Sequence, residues 1–232
     1  MNAFFCSSKF DKSKEETSLS INFAKKVNDF NTLGSAYNTY TNIANYNGEI
    51  TKAYEYSKKN LEYTIKSNNS SKILNSYVNL NSLALNLMKY EEAKSYYNKA
   101  SKYFSNYNSQ EQAVMKKNLG MALLKLQENE KSLKYLFESE KIFKQLDYIK
   151  PLSSIYSMLC ESYSNLNSHE KAKLYGEKSL SSALNSIDST NAFFALSKLY
   201  FEVKNYKLAK QNILKSIEID KAVELDRKVN YE

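Results

Sequence analysis

The feature of the sequence that most constrains its fold is a pattern of turn and helix that occurs five times. In each copy a polar turn is followed by a small residue and then by an amphipathic run. The small residues are Ala53, Ala93, Ser132, Ala172 and Ala209, separated by 40, 39, 40 and 37 positions. A repeat of this length is typical of a supersecondary unit that buries its apolar face by stacking on its neighbours.

A second helical pattern precedes each turn. Side chains that share one face recur there at steps of three and four, as in Tyr77, Leu80, Ala84 and Leu87. Each unit is therefore predicted to be a helix, a tight turn and an antiparallel helix, with the small residue allowing the two helices to approach. Pro151 fits this pattern, because the first turn of a helix tolerates proline.

Composition supports an all-α fold. Four glycines and one proline cannot supply the turns and phosphate loops of most β and α/β folds. The hydrophobic share of 42% is sufficient for a buried core. No apolar run approaches the roughly 20 residues that a membrane span needs, and the N-terminus lacks the pattern of a signal peptide. We therefore expect a cytoplasmic protein without a membrane segment in this chain.

Residues that could carry catalysis are few. One histidine and two distant cysteines, Cys6 and Cys160, cannot form a zinc site or a nucleophile–base pair of the usual kind. His169 lies in a turn where sister repeats carry an aromatic residue, and Cys160 is expected to be a small buried thiol. We therefore predict no catalytic residue, no cofactor and no metal, and we do not expect an enzyme.

The repeat resembles the tetratricopeptide repeat. The residues that carry the resemblance are Leu119-Gly120, the segment Met88-Lys-Tyr-Glu-Glu-Ala93 and the segment Asn205-Tyr-Lys-Leu-Ala209. The chain departs from the family pattern in having Tyr, Lys or Phe for its Trp, no terminal Pro in each repeat, and a period nearer 40 than 34. The longer period is similar to the variant in bacterial sensor and peptide-receptor regulators. The resemblance implies a right-handed α-solenoid of antiparallel helix pairs.

The positions of the small residues set the boundaries of the repeat. On this basis we expect residues 1–232 to form a single solenoid of successive units. We expect a partial unit at 1–29, units at about 30–68, 69–107, 108–147, 148–187 and 188–218, and a C-terminal cap at 219–232. The chain is either a piece of a longer regulator with an output domain or a solenoid that begins with a degenerate unit.

In solenoids of this family the first helix of each pair lines a concave groove. The same phasing places a set of mostly polar residues there, which we predict to form a peptide-binding groove: Asn38, Asn42, Asn45, Asn75, Asn79, Lys117, Asn118, Glu161, Lys198 and Phe201. Because an asparagine carries a donor and an acceptor, it can pair with both groups of a peptide unit. The resemblance implies the same role, although asparagine is abundant throughout this chain.

The formal net charge of +8 raises the question of a nucleic-acid partner. Arg227 is the only arginine, and the lysines are interspersed with glutamates, which is typical of solvated helix faces. We therefore expect a protein- or peptide-binding scaffold, acting as the sensory or interaction module of a bacterial regulator. The alternatives are a free-standing adaptor that assembles a protein complex and, with less support, a nucleic-acid-binding solenoid.

Overall fold

The computed structural model describes residues 2–104 and 109–229, and within these ranges every regular element is a helix. The boundary expected at 107/108 and the last three residues of the expected cap lie outside them. The chain forms two compact units, 1–107 and 108–232. The fold is all-α, as predicted, and consists of consecutive antiparallel helix pairs.

The N-terminal unit contains five α-helices and a short 3₁₀ turn. They are α1 (Asn2–Lys26), α2 (Phe30–Tyr46), α3 (Ile50–Lys66), α4 (Ser70–Asn86) and α5 (Tyr90–Ala100), followed by the 3₁₀ turn Ser101–Tyr103. Here α1 packs on α2, α2 pairs with α3, and α4 pairs with α5.

The C-terminal unit contains three helix pairs. They are α6 (Gln110–Lys125) with α7 (Asn129–Gln145), α8 (Leu152–Asn165) with α9 (His169–Ser181), and α10 (Ser186–Glu202) with α11 (Tyr206–Val229). The helix α8 begins directly after Pro151, and α11 continues without a break through residue 219 into the segment expected to be a cap.

Most turns are closed by the same backbone motif. The second residue after the helix takes a left-handed conformation, and the next amide donates back to the carbonyl five residues earlier, as in Glu49 N to Ala44 O and Lys89 N to Ala84 O, both at 2.8 Å. This is the Schellman motif, which satisfies carbonyls that a helix end would leave unpaired. Its left-handed residue is usually glycine, but here it is glycine only at Gly48 among the described residues.

The helices of each pair cross at a small, buried contact. The crossing residue of the first helix and the small residue of the second stand 12 positions apart in every pair: Thr41 and Ala53, Asn81 and Ala93, Gly120 and Ser132, Cys160 and Ala172, Ser197 and Ala209. All ten are buried. At two crossings a side chain also bonds the partner backbone, because Asn81 Nδ2 donates to Ala93 O and Ser132 Oγ donates to Gly120 O, both at 2.8 Å.

Gly120 shows how little space a crossing leaves. A Cβ added to this glycine would lie 2.7 Å from the side chain of Leu136 in α7, which is closer than carbon atoms can approach without movement. The expectation that Ala93 and Ala172 lie at crossings is confirmed, since both have no exposed surface.

Tyrosines fill much of the space between helices. In the N-terminal unit Tyr37 stacks on Tyr63 with ring centroids 5.5 Å apart. The hydroxyl of the buried Tyr54 in α3 reaches Glu92 and Tyr96 in α5 and thereby joins the second helices of successive pairs. In the C-terminal unit Tyr163 stacks on Tyr175 at 5.5 Å. These contacts agree with a packing role for the tyrosines.

In the described part of the chain, no helix has both the length and the apolar character that crossing a bilayer requires.

Replacing Ala93 with Leu tests the crossing directly. Three additional carbon atoms at a fully buried site overpack the junction, so we expect the free energy of unfolding to fall by about 1–3 kcal/mol. Urea denaturation followed by circular dichroism measures this change. The matched control is Ala222→Leu, at an exposed position of α11, which should leave stability nearly unchanged. Equal stability of the two variants would contradict the assignment of Ala93 to a crossing.

Candidate peptide-binding surfaces

In the N-terminal unit, the asparagines predicted to line the groove lie on α2 and α4. Asn42, Asn45 and Asn75 are exposed, whereas Asn38 and Asn79 are half-buried. The last two form a pair across the two helices, in which Asn79 Nδ2 donates to Asn38 Oδ1 at 3.1 Å. The structure thus brings together first-helix residues that are 41 positions apart in the sequence.

Two polar depressions lie in the N-terminal unit, and Asn38 of the asparagine pair lines one of them. The first has a volume of about 350 Å³ and lies between α1 and α2. The second has a volume of about 310 Å³ and lies between α2 and α4, with residues of α3 forming part of its wall. Ser35, Thr39 and Lys72 line both depressions and connect them, while Asn38 and Asn75 line the second. Hydroxyl and amide groups therefore dominate this surface.

Lys72 supplies a positive charge where the depressions meet. Its Nζ donates to Asn31 Oδ1 at 3.2 Å, and it forms no ion pair with any carboxylate of the described residues. Its position follows from helix capping: the side chain of Asn69 accepts a hydrogen bond from Lys72 N and so starts α4 at Ser70. Lys72 was not among the predicted groove residues, but its spacing from Asn75 and Asn79 on α4 places it on their face.

In the C-terminal unit a charged ladder connects three first helices. Glu161 of α8 accepts from Lys125 of α6 at 3.2 Å and from Lys198 of α10 at 2.5 Å. Burial alone would raise the pKa of the Glu161 carboxyl, but the hydrogen bond and charge of Lys198, together with those of Lys125, outweigh burial and lower the pKa below its ordinary value. Two predicted groove residues, Glu161 and Lys198, are therefore bonded to each other.

The remaining predicted groove residues differ in accessibility. Lys117 is half-buried; its burial lowers the pKa of its ammonium group, and the charge of Asp188 partly opposes this. Phe201 is 65% exposed. Asn118 is only 5% exposed, so its amide does not line an open surface. Asn79 and Asn118 hold the same place in the repeat, two positions before the crossing residues Asn81 and Gly120, so the repeat phase alone does not set the burial of this position.

The possible metal ligands and the thiols of the described residues were predicted to play no chemical role. The part of the chain that the structure describes contains no group of three or more His, Cys, Asp and Glu side chains arranged to hold a metal ion. Cys160 is fully buried, and burial raises the pKa of its thiol to about 12, which opposes formation of a reactive thiolate. The side chain of Cys6 lies outside the described residues.

The lowered pKa of Glu161 predicts a dependence of stability on pH. Because its pKa is lower in the folded state than the ordinary 4.5, its stabilising contribution is present above that value and is lost as the pH falls through the folded value. We expect Glu161→Gln to reduce the free energy of unfolding at neutral pH, and the difference from the parent to shrink in acid. Urea denaturation between about pH 3 and pH 7 measures both curves.

The matched control for this series is Glu218→Gln, which changes an exposed glutamate of α11 that forms no ion pair with described residues. Its stability should follow that of the parent at every pH. A constant difference between Glu161→Gln and the parent over the whole range would show that the ion pairs of Glu161 do not contribute in this way.

With this geometry established, comparison with known proteins identifies the repeat. The family model described as tetratricopeptide repeat matches residues 74–107 and 190–228. The first matched segment begins within α4, and the second runs from α10 through nearly all of α11. The comparison with curated proteins gives no match.

Several solved structures share the fold at low sequence identity. BtubC (BKLC) from P. vanneervenii has a TM-score of 0.70 and 18% identity, with 93% of this chain and 92% of that chain covered. The apo form of RapI has a TM-score of 0.64 and 12% identity, with 93% and 99% covered. YrrB, described as a TPR protein with an unusual peptide-binding site, has a TM-score of 0.56 and 17% identity, with 94% and 100% covered.

Three observations indicate the same fold: the matched segments, the helix pairs with their small buried crossings, and the structural similarities. Residues 74–107 and 190–228 of the chain thus match the tetratricopeptide repeat, and the chain shares the fold of YrrB, which is described as a TPR protein.

Proposed function

We propose that this protein is a scaffold that binds an extended polypeptide, and that it is the sensory or interaction module of a bacterial regulatory protein. A role in binding a protein or peptide suits the tetratricopeptide-repeat fold, and the structurally similar YrrB is described as having a peptide-binding site. The observation that carries the proposal for this chain is the Asn38–Asn79 pair, of which Asn38 lines the polar depression between α2 and α4.

The asparagine pair offers a donor and an acceptor that are complementary to the two groups of a peptide unit. The hydrogen bond between the side chains uses Asn79 Nδ2 and Asn38 Oδ1 and leaves Asn38 Nδ2 as a donor and Asn79 Oδ1 as an acceptor. A peptide unit presents one carbonyl and one amide, so an extended chain can satisfy both groups. The exposed Asn42 and Asn75, on the same two helices, add further donors and acceptors.

Lys72 favours a segment with a negative charge. Its ammonium group lies between the two depressions and donates to the amide oxygen of Asn31, and its charge also acts on the carboxylate of Asp29. A carboxylate of a bound peptide would form a charge-assisted hydrogen bond there, which is stronger than a bond between neutral groups. We therefore favour an acidic peptide for this surface.

An adaptor that assembles a protein complex would use the same surface, and identification of the captured partners distinguishes it from a regulator. A nucleic-acid-binding solenoid has less support, because many lysines pair with glutamates within the chain, such as Lys66 with Glu62 and Lys144 with Glu140. Phosphate contacts make affinity fall steeply as salt increases, so a salt titration tests this alternative.

The test of the proposed function uses a phage-displayed library of random linear peptides, selected on the parent protein. We expect acidic peptides to be enriched and Asn79→Ala to weaken their binding about tenfold, since losing a paired partner at such a site costs on the order of 1–3 kcal/mol. Fluorescence anisotropy with the selected peptides measures the loss.

The matched control is Asn98→Ala, at an exposed position of α5, which should bind like the parent. Thermal unfolding of both variants should stay close to that of the parent. Peptides that bind the parent and Asn79→Ala equally would place the binding surface elsewhere.

A further inference from the structure

An apolar groove lies between α10 and α11, in the C-terminal unit. It has a volume of about 560 Å³ and is lined by Phe201, Tyr206, Ile213 and the stems of neighbouring polar residues. Phe201 is 65% exposed and Tyr206 is 59% exposed, and their rings meet edge to face with centroids 5.6 Å apart. Exposed aromatic side chains grouped in a groove are typical of a surface that binds another protein.

The preceding helix pair shows how an equivalent surface is covered. On α8 and α9 the corresponding surface is occupied by α10, whose Leu196 packs so closely on Gly176 that a Cβ there would lie 2.3 Å from it. The residue that stands 37 positions after Gly176 is Ile213, in the open groove. Within the described residues no helix covers the α10–α11 groove, so it presents the same kind of helix-binding surface without an occupant.

The outer face of α1 is an apolar helix surface of matching character. Ile21 and Ala24 of α1 are buried against α2, whereas Leu19 is 55% exposed and Phe23 is 71% exposed on the opposite side. Glu15 precedes Leu19 by four residues and is exposed on the same face. The face thus presents a carboxylate followed by two apolar side chains, with steps of about 6 Å along the helix.

The two surfaces offer one complementary pair of charges, Glu15 and Lys210; the outer face of α1 also carries Lys26, whose Nζ lies 5.9 Å from the centroid of the Phe23 ring. Of the charged residues that line the groove, Lys198 is bonded to Glu161 and Glu202 accepts from Ser164. Lys210 also lines the groove and forms no ion pair with any described carboxylate. It is therefore available for a carboxylate on an incoming helix, and Glu15 of α1 has no described lysine as an ion-pair partner either.

We infer that the protein associates with a second copy of itself, head to tail, by placing the outer face of α1 of one copy in the α10–α11 groove of the next. Leu19 and Phe23 then cover Phe201, Tyr206 and Ile213, and Glu15 pairs with Lys210. Because the two surfaces are different, each copy can use one surface on either side, and the contact generates a chain or a ring of copies. A contact of two helices is small, so the association is reversible and depends on concentration.

The inference is independent of the proposed function. The contact uses neither Asn38, Asn79 nor Lys72, so loss of association and loss of peptide binding can be measured separately on the same variants.

Complementation between two variants tests the contact. Phe23→Asp removes the α1 face and keeps the groove, whereas Ile213→Asp damages the groove and keeps the α1 face. We expect the parent to show a mass that rises with concentration in sedimentation velocity, and each variant alone to stay monomeric. Mixed in equal amounts, the two variants should form a dimer of one copy each, because one intact contact remains.

Two further measurements make the result specific. Leu174→Asp changes an exposed apolar residue of α9 outside both surfaces and should associate like the parent. Glu15→Lys and Lys210→Glu should each weaken association, and the double variant should regain it. A parent that stays monomeric from micromolar to millimolar concentration overturns the inference, as does a mixture of Phe23→Asp and Ile213→Asp that stays monomeric although each variant retains its helical circular dichroism spectrum.

Discussion

The close crossing between the two helices of each pair is the contact on which the rest of the structure depends. Its two residues stand 12 positions apart in all five pairs and are buried in every one. Helices that approach this closely leave no space for a larger side chain, as the contact between Gly120 and Leu136 shows. Once the crossing is fixed, the face of each first helix that packs is also fixed, and the remaining faces are left for other contacts.

The turns show why so few glycines are sufficient. A left-handed residue after a helix usually is glycine, and the chain instead places Asn28, Asn68 or Asn167 there, or a residue such as Met88. A non-glycine residue in this region costs on the order of 1–2 kcal/mol. The amide bonds of the Schellman motif and the stacking of the helices offset this cost, so the low glycine content that excludes other folds is compatible with many tight turns.

The fold could be predicted from the sequence because its signal is periodic. Five small residues at regular spacing identify the pairs, and the steps of three and four identify the packed faces. The candidate site could be predicted only in part. The phasing placed Asn38 and Asn79 on facing helices, but the bond between them depends on side-chain conformations that no spacing encodes. Lys72 was missed because the phasing was applied to this helix only from Asn75 onward, one turn after Lys72.

Asn118 illustrates the limit of an expectation drawn from repeat phasing. Its residue type is the same as that of the other groove asparagines. The position that it occupies in the repeat is half-buried at Asn79 but buried at Asn118. The sequence analysis also did not predict the charged ladder. Glu161 and Lys198 were predicted as separate groove residues, but they form an ion pair with each other. The phase relative to the crossing identifies which helices face each other, but it does not determine how far each side chain is buried.

The internal repeats separate the positions that the fold requires from those that it leaves free. The crossing position of the first helices accepts only residues that fit a buried contact: Thr41, Asn81, Gly120, Cys160 and Ser197. The next position carries side chains that differ in size, polarity and charge: Asn42, Ser82, Met121, Glu161 and Lys198. Packing cannot be the constraint that selects such different side chains at one structural position. The contacts made at this position therefore differ from repeat to repeat: Glu161 and Lys198 form part of the charged ladder of the C-terminal unit, whereas Asn42 stays exposed in the N-terminal unit.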